Sequence, residues 1–406
     1  VAEADRRLRA RFPRARAWYL YSADLLDARA RRFQSTFDAI RPHVAYALKA
    51  NALPALLRRL ARLGLGADVV SRGEIHLALL AGFAESGMVV NGNGKGEDEL
   101  DWVVSHAPHS VNVDSLEELA ALERRAQAAG ARVRTVVRLN PGVETSGHPH
   151  VATGGPDAKF GLPPREALEA LRRGAASKAL RADGIHVHVG SQLTDSHPLD
   201  RALDQALELR DRAARSGVRI RMLNLGGGFG VDYAAEREAF PLEDHARRLR
   251  ERVTPLGLEL VLEPGRWLVA PCGVIVSHVT WVKRAGGRRI VVLDAGMSDL
   301  MRPALYGARH RIEAVQPREG PVEPAMVVGP LCESGDVFDE SAPLPPLETG
   351  DSVVLRDAGA YGWVMSSNYN GRERPAEVVV EGGAARLARA PESIEDLTRG
   401  ERDEAL

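Results

Sequence analysis

A parallel (β/α)8 barrel followed by a second, mainly β domain is the fold class this chain of 406 residues predicts. Three observations carry the prediction. Between residues 24 and 270, eight short apolar runs alternate with helical runs, the beat of a closed parallel barrel. Several of those runs are almost unbroken in apolar residues, as strands covered on both faces must be. Polar or glycine-rich residues follow most of the strands, whereas an open doubly wound sheet, which shares the alternation, concentrates them at one switch point.

Taken in order, Val1–Ala17 is a basic, helix-prone lead and Trp18–Tyr21 a short aromatic strand. Ser22 or Asp24 can cap the helix that runs to about Ala39. The eight barrel strands are then Val44–Lys49, Ala67–Ser71, Met88–Asn91, Ser110–Val113, Arg134–Asn140, Gly184–Val189, Met222–Leu225 and Leu258–Glu263. Helical runs separate them, among them Leu53–Leu63, Gly73–Ala81, Glu97–Ser105, Leu116–Ala129 and, after a long loop, Arg165–Arg173. From about Pro271 the texture changes. Val274–Val282, Arg289–Leu293, Ala325–Val328, Ser352–Arg356 and Glu377–Val380 read as strands set apart by Gly, Pro and Asp turns without long helices, and Pro343–Pro346 reads as one such turn. The expected division is a barrel over residues 24–270 and a β domain made of residues 1–23 and 271–406.

Composition narrows the function. A formal net charge of −1 provides no global field toward nucleic acid or an anionic membrane. The arginine-rich residues Val1–Arg16 carry no apolar run of signal-peptide kind, and nowhere do about 18 apolar residues run together as a membrane span requires. Two cysteines, Cys272 and Cys332, are too few for a disulfide framework or a four-cysteine zinc site. A cytoplasmic protein is expected. Its glycines cluster, and the chemistry is expected where they cluster.

Lys49 ends the apolar run that starts at Val44, with a helix following at once. The chain holds 54 Lys+Arg, yet only five are lysines: Lys49, Lys95, Lys159, Lys178 and Lys283. Lysine is kept where arginine will not serve, because a buried ammonium can lose its proton and attack a carbonyl while a guanidinium cannot. The plainer reading is a lysine paired with a carboxylate at a strand end. Read at the C-terminal strand ends, where a barrel carries its site, the remaining candidates are Asp68 with Ser71, Asn91, Arg138 with Asn140, His188 with Ser191, Gly226–Gly228, and Glu263 with Arg266. Gly226, Gly227 and Gly228 can turn backbone N–H groups onto one phosphate, or form only a tight turn. No G-x-G-x-x-G with a ribose-binding acid follows, which argues against a dinucleotide. Gly265, Ser191 and Tyr361 could complete a monophosphate cup. Glu263 closes an apolar strand and needs a partner, either a protonated pyridine nitrogen or a salt bridge to Arg266 or Arg138. His186 and His188 share one side of their strand. With no third ligand at suitable spacing no metal is expected, which leaves an imidazole stacked on a cofactor ring or, for His186, a core histidine.

Six ordered motifs carry a resemblance. They are Tyr46–Asn51, His186–Gln192, Glu263–Arg266, Asp294–Gly307, Cys332–Asp336 and Asp357–Gly362. Together they resemble the pyridoxal-phosphate decarboxylases of alanine-racemase-like fold, and among these the branch that turns meso-2,6-diaminopimelate into L-lysine, over about Trp18 to Leu397. Departures are modest: the approach to Tyr19 is arginine-rich, and His150 stands where the family often has tyrosine. The resemblance implies pyridoxal 5'-phosphate as cofactor, held covalently by Lys49, with Glu263 keeping its ring nitrogen protonated and His188 stacked on its face. Ser191, Gly226–Gly228, Gly265 and Tyr361 would hold the phosphate, and Asp68 and Arg138 would line the same site. Cys332 would reach a neighbouring subunit's site in a homodimer and protonate the carbanion left by carbon dioxide. Its plainer reading is a buried small hydrophobe. Glu333 would meet the substrate's distal ammonium; Arg266, Arg302 and Tyr306 would meet its distal carboxylate. Relatives on this scaffold act on ornithine, lysine, arginine or a carrier-tethered glutamyl group, and an arginine with a tyrosine at the distal end favours a second carboxylate. A non-catalytic pyridoxal-phosphate carrier is the alternative of another class. Residues 271–406 argue against it, since such carriers can lack the β domain.

Overall fold

The computed structural model describes residues 1–143, 154–155, 159–234 and 239–402; His150 lies outside them. Two compact units account for the chain. One is built from Val1–Leu26, Asp232–Arg237 and Val269–Leu406, the other from Asp27–Val231 and Glu238–Leu268.

In chain order the elements begin with α1 (Ala2–Arg11), β1 (Trp18–Ser22) and α2 (Ala23–Thr36). The barrel follows: β2 (His43–Ala47), α3 (Pro54–Arg62), β3 (Gly66–Val69), α4 (Arg72–Ala81), β4 (Met88–Val90), α5 (Glu97–His106), β5 (Ser110–Val113), α6 (Leu116–Ala128), β6 (Val133–Arg138), α7 (Pro164–Ala176), β7 (Leu180–His186), α8 (His197–Arg215), β8 (Met222–Asn224), α9 (Leu242–Val253) and β9 (Glu259–Leu262). Strands β2 to β9 are parallel and close on themselves, with β9 returning to pair with β2. Ala45, Val89, Val136 and Met222, from β2, β4, β6 and β8, meet Val261 of β9 in one fully buried cluster. That is the alternate-strand layering that fills a barrel of this size. Helices α3 and α7 open on Pro54 and Pro164, whose fixed φ suits the first helical turn. Ser71 and Ser115 cap α4 and α6 by accepting from the backbone N–H groups of Glu74 and Glu118.

Most barrel strands stop one to three residues before the apolar runs do. β2 ends at Ala47, and Leu48–Ala50 form a 3-10 turn; β7 ends at His186 rather than Val189. Hydrophobicity continues past the last ladder bond because the chain there turns across the barrel mouth and is still covered by protein.

The other unit continues with α10 (Arg266–Val269, shared at its start with the barrel), β10 (Gly273–Ala285), β11 (Arg288–Leu293), α11 (Arg302–Tyr306), β12 (Ile312–Ala314), β13 (Glu323–Val328), β14 (Val337–Leu344), β15 (Ser352–Leu355), β16 (Glu377–Glu381) and β17 (Ala384–Arg389). Its strands run in the order β14-β13-β11-β10-β1-β16-β17, with β15 pairing β10 and β12. The aromatic strand β1 lies inside this sheet, antiparallel to β10 and parallel to β16. The expectation of a turn at Pro343–Pro346 is corrected: Pro343 and Leu344 complete β14, where Pro343 faces Pro324. β14 is an edge strand, where a missing N–H costs the sheet nothing on its outer side. β12, β14 and β17 carry too few consecutive apolar residues to stand out in the sequence.

Candidate active site

The barrel mouth gathers its polar groups along one buried line. Lys49, raised on the 3-10 turn after β2, donates to Asp68 Oδ2 of β3 at 2.5 Å. Asp68 is fully buried, while the lysine side chain keeps 40% of its exposure. Asp68 Oδ1 accepts from Asn91 Nδ2 at 2.7 Å, and the same nitrogen donates to Glu263 Oε1 at 2.8 Å. Asn224 Nδ2 donates to that same glutamate oxygen at 2.6 Å. Glu263 is therefore held by two amides, not by Arg266 or Arg138. Burial, followed by the charge of Asp68, pushes its carboxyl up to about 7. His186 Nε2 stands 3.8 Å from the other oxygen, Oε2.

His188, two residues past the end of β7, accepts from the backbone N–H of Gly227 through Nδ1 at 3.2 Å. Enclosure, then the charges of Arg138 and Lys49, hold its pKa down at about 3, so the ring is neutral with its proton on Nε2. A Cβ on Gly227 would lie 2.2 Å from the Glu263 carbonyl oxygen, and one on Gly226, whose φ is +63°, would lie 2.5 Å from His188 Nδ1. The glycines thus let the loop after β8 press between those after β7 and β9, with backbone rather than side chain facing the mouth. Gly228 approaches Gly190 in the same way, and Gly265 packs on Ala47 and Ala50. Ser191 Oγ accepts from Arg266 Nη2 at 2.9 Å. Arg138 pairs with Asp114 at 3.4 Å and lies over the Phe160 ring. It reaches the line of polar groups only through its charge.

The remaining candidates belong to the β unit. Arg302 is buried at the start of α11, its guanidinium 4.2 Å from the Tyr233 ring centroid and its Nη1 2.7 Å from His310 Nε2. His310 Nδ1 in turn donates to the carbonyl of Arg356 at 2.7 Å, which leaves Nε2 as an acceptor. Tyr306 ends the same helix and is partly exposed. Cys332 is exposed as a free thiol, not buried as a small hydrophobe, and its N–H bonds Asn370 Oδ1 at 2.8 Å. Glu333 is exposed beside it. Asp336 braces this loop by accepting from the N–H groups of Met297 and Leu331, which ties the Cys332 motif to the Asp294 motif. Tyr361 adopts a left-handed backbone with φ of +55°.

Sequence reasoning missed Asn112 and Asn224, which complete the buried network, and Tyr233 and His310, which cradle Arg302. The asparagines left a signal: each interrupts an apolar strand, and a buried amide there needs a partner. Tyr233 left none, because nearly seventy positions separate it from the arginine it covers.

An amine, a matched buried acid, a neutral imidazole and a glycine-built cradle are the parts a pyridoxal-phosphate enzyme needs, and comparison with known proteins agrees. The family model "Pyridoxal-dependent decarboxylase, pyridoxal binding domain" matches residues 23–270. The chain belongs to the pyridoxal-dependent decarboxylases. A diaminopimelate decarboxylase from Pseudomonas aeruginosa is 41% identical over 384 residues, which is 94% of this chain and 92% of that protein. The crystal structure of the Helicobacter pylori diaminopimelate decarboxylase complexed with L-lysine superposes with a TM-score of 0.90 at 37% identity, covering 94% of this chain and 96% of that one. One from M. jannaschii, also in complex with L-lysine, gives 0.89 at 34% identity over 95% and 92%. Within its class, then, the chain is a member of the diaminopimelate decarboxylase family.

Proposed function

We propose that the protein removes carbon dioxide from meso-2,6-diaminopimelate to give L-lysine, the last step of bacterial lysine synthesis, with pyridoxal 5'-phosphate as cofactor. The observation that carries the reading is the line from the amine of Lys49 through Asp68 and Asn91 to Glu263. It sets a nucleophilic nitrogen and a buried acid at its two ends, the two groups an aldehyde-bearing pyridine calls for. When bound, the cofactor supplies an aldehyde that condenses with amines and a ring that takes up the electron pair left on the α-carbon.

Every other role falls to the chain. Lys49 would hold the cofactor covalently, and Asp68 orients the Lys49 amine. Glu263, already bonded through one oxygen by two amides, would use the other to keep the ring nitrogen protonated. His188, neutral across the physiological range, would meet the ring without adding charge. N–H groups of Gly226, Gly227, Gly228 and Gly265, with the hydroxyl of Ser191, would hold the phosphate, and Arg138 would contribute its charge nearby. Cys332 delivers the proton to the α-carbon. Glu333 pairs with the distal ammonium, and Arg302, Tyr306 and Arg266 read the distal carboxylate. The exposed Cys332–Glu333 loop supports a homodimer in which one subunit completes the other's site. The low cysteine content supports a cytoplasmic setting.

The test is a substrate panel. Purified protein with pyridoxal phosphate should release carbon dioxide from meso-diaminopimelate and leave L-ornithine, L-lysine and L-arginine largely untouched. Lys49→Ala should lose turnover by at least about a thousandfold along with its visible cofactor band. Turnover confined to a diamino acid with one carboxylate would sink the substrate assignment and keep the cofactor.

A further inference from the structure

Asn91 sits where no assigned role reaches, and its geometry is unusual. It is buried at the end of β4, and its single amide nitrogen donates to two carboxylates at once, 2.7 Å from Asp68 Oδ1 and 2.8 Å from Glu263 Oε1. The orientation of that amide is fixed from behind. Asn112 Nδ2 donates to Asn91 Oδ1 at 2.7 Å and uses its second hydrogen on His186 Nδ1 at 3.2 Å. An amide turned the other way would face two carboxylates with its oxygen, so the network admits one orientation. His186, accepting through Nδ1, carries its own proton on Nε2, toward Glu263.

Two buried carboxylates this close oppose each other's ionisation. Each needs its charge for a different end of the site: Asp68 for Lys49, and Glu263, on the reading above, for the ring nitrogen. We propose that Asn91 is a positioning residue that eases the ionisation of Glu263 beside Asp68, and so ties the protonation of the cofactor's ring nitrogen to the charge held at Lys49. The inference rests on the proposed cofactor. Without the bridging N–H groups, Glu263 holds its proton more tightly, and a neutral acid no longer favours a protonated nitrogen opposite it.

Cofactor affinity separates this from mere packing if the ring nitrogen is varied. Apoprotein is titrated with pyridoxal phosphate and with its 1-deaza analogue, in which C–H replaces that nitrogen, and the ratio of the two dissociation constants is compared with that of Asn91→Leu. The wild type should prefer pyridoxal phosphate. Asn91→Leu should narrow that preference about tenfold, the worth of one lost bond to a carboxylate, through weaker binding of pyridoxal phosphate alone. An equal loss for both ligands, or an unchanged ratio, overturns the inference and leaves Asn91 a structural residue. If Asn91→Leu does not fold, Asn91→Ser carries the same comparison, since one hydroxyl can serve only one carboxylate. A wild type that binds neither ligand would overturn the proposed function itself, and this inference with it.

Discussion

Glu263 stores a cost in the cofactor-free protein. Its ordinary value is 4.5, and burial beside charged Asp68 lifts it to about 7, so folding takes up a proton between those values. The native state binds more protons than the unfolded chain there, and stability falls as pH rises across that window. Cofactor-free wild type should lose melting temperature from pH 4.5 to 7 more steeply than Glu263→Gln, which has no proton to exchange; equal slopes in calorimetry would assign the titration elsewhere. Arg302 offers a second residue-level test. Replacing it with methionine should raise KM for meso-diaminopimelate by about 10- to 100-fold with kcat changed far less, since a contact made equally in ground and transition states is lost. Lysine should restore only part, because it lacks the planar fork. A fall in kcat at constant KM would remove Arg302 from carboxylate recognition. Of these residues, Glu263 was singled out because a charge closing an apolar strand demands explanation, and Arg302 only through the family resemblance of its motif. Asn224 and His310, which hold them, were missed, the first although it interrupts an apolar strand, the second because an imidazole fits either face of a fold.

At the level of elements, the N-terminal ends of the barrel strands carry a second charged layer remote from the chemistry. Glu259, opening β9, lies 2.9 Å from His109 Nε2 and pairs with Arg134 of β6 at 2.6 Å; Arg134 also reaches Asp183 of β7 at 3.2 Å. His43 stacks on His109 with ring centroids 4.1 Å apart. The bond from His109, then that from Arg134, holds Glu259 down at about 2 against its ordinary 4.5. A depressed carboxylate contributes its full stabilisation above the unfolded value and loses it as pH falls toward the folded one. Acid unfolding between pH 4.5 and 2 should therefore be shallower in Glu259→Gln than in wild type, while activity at neutral pH is retained. Loss of activity with unchanged acid stability would reverse that assignment. Strand existence here followed from apolar runs, whereas strand ends did not, since hydrophobicity reports burial and not ladder pairing.

Across the whole β unit, helix α1 is fastened by one buried cluster. Ala4 and Leu8 pack with Trp18, Val276, Val354, Ala376 and Val378. Beneath them His278 lies between Asp5, 3.1 Å from Nε2, and Asp294, 3.0 Å from Nδ1. Trp18 donates to Asp5 at 2.9 Å, and Arg9 pairs with both acids at 3.4 and 3.8 Å. Burial opposes a charged His278, but its two carboxylate bonds outweigh that and raise its pKa. A raised histidine contributes fully below its unfolded value of 6.5, and that contribution is lost as pH rises through the folded one. Tryptic cleavage after Arg14 or Arg16 should accelerate as pH climbs above 6.5 in wild type. In His278→Gln it should be fast already at pH 6 and change less with pH; identical profiles would exclude the cluster as the fastener.

The order of strands and helices, the lysine economy and the six motifs are local properties, written in runs of a few residues. They were enough for the barrel, the β unit and the family, and they singled out Lys49, Asp68 and Glu263, which the fold joins through Asn91. Contacts between distant positions had to come from the fold: Pro343 within an edge strand, Tyr233 over Arg302, and one asparagine amide shared by two acids. A linear pattern reports what a segment needs, burial on one side or a charge partner, but not which distant segment supplies it. That choice is made when the sheets close and the backbone brings those groups within a hydrogen bond of one another.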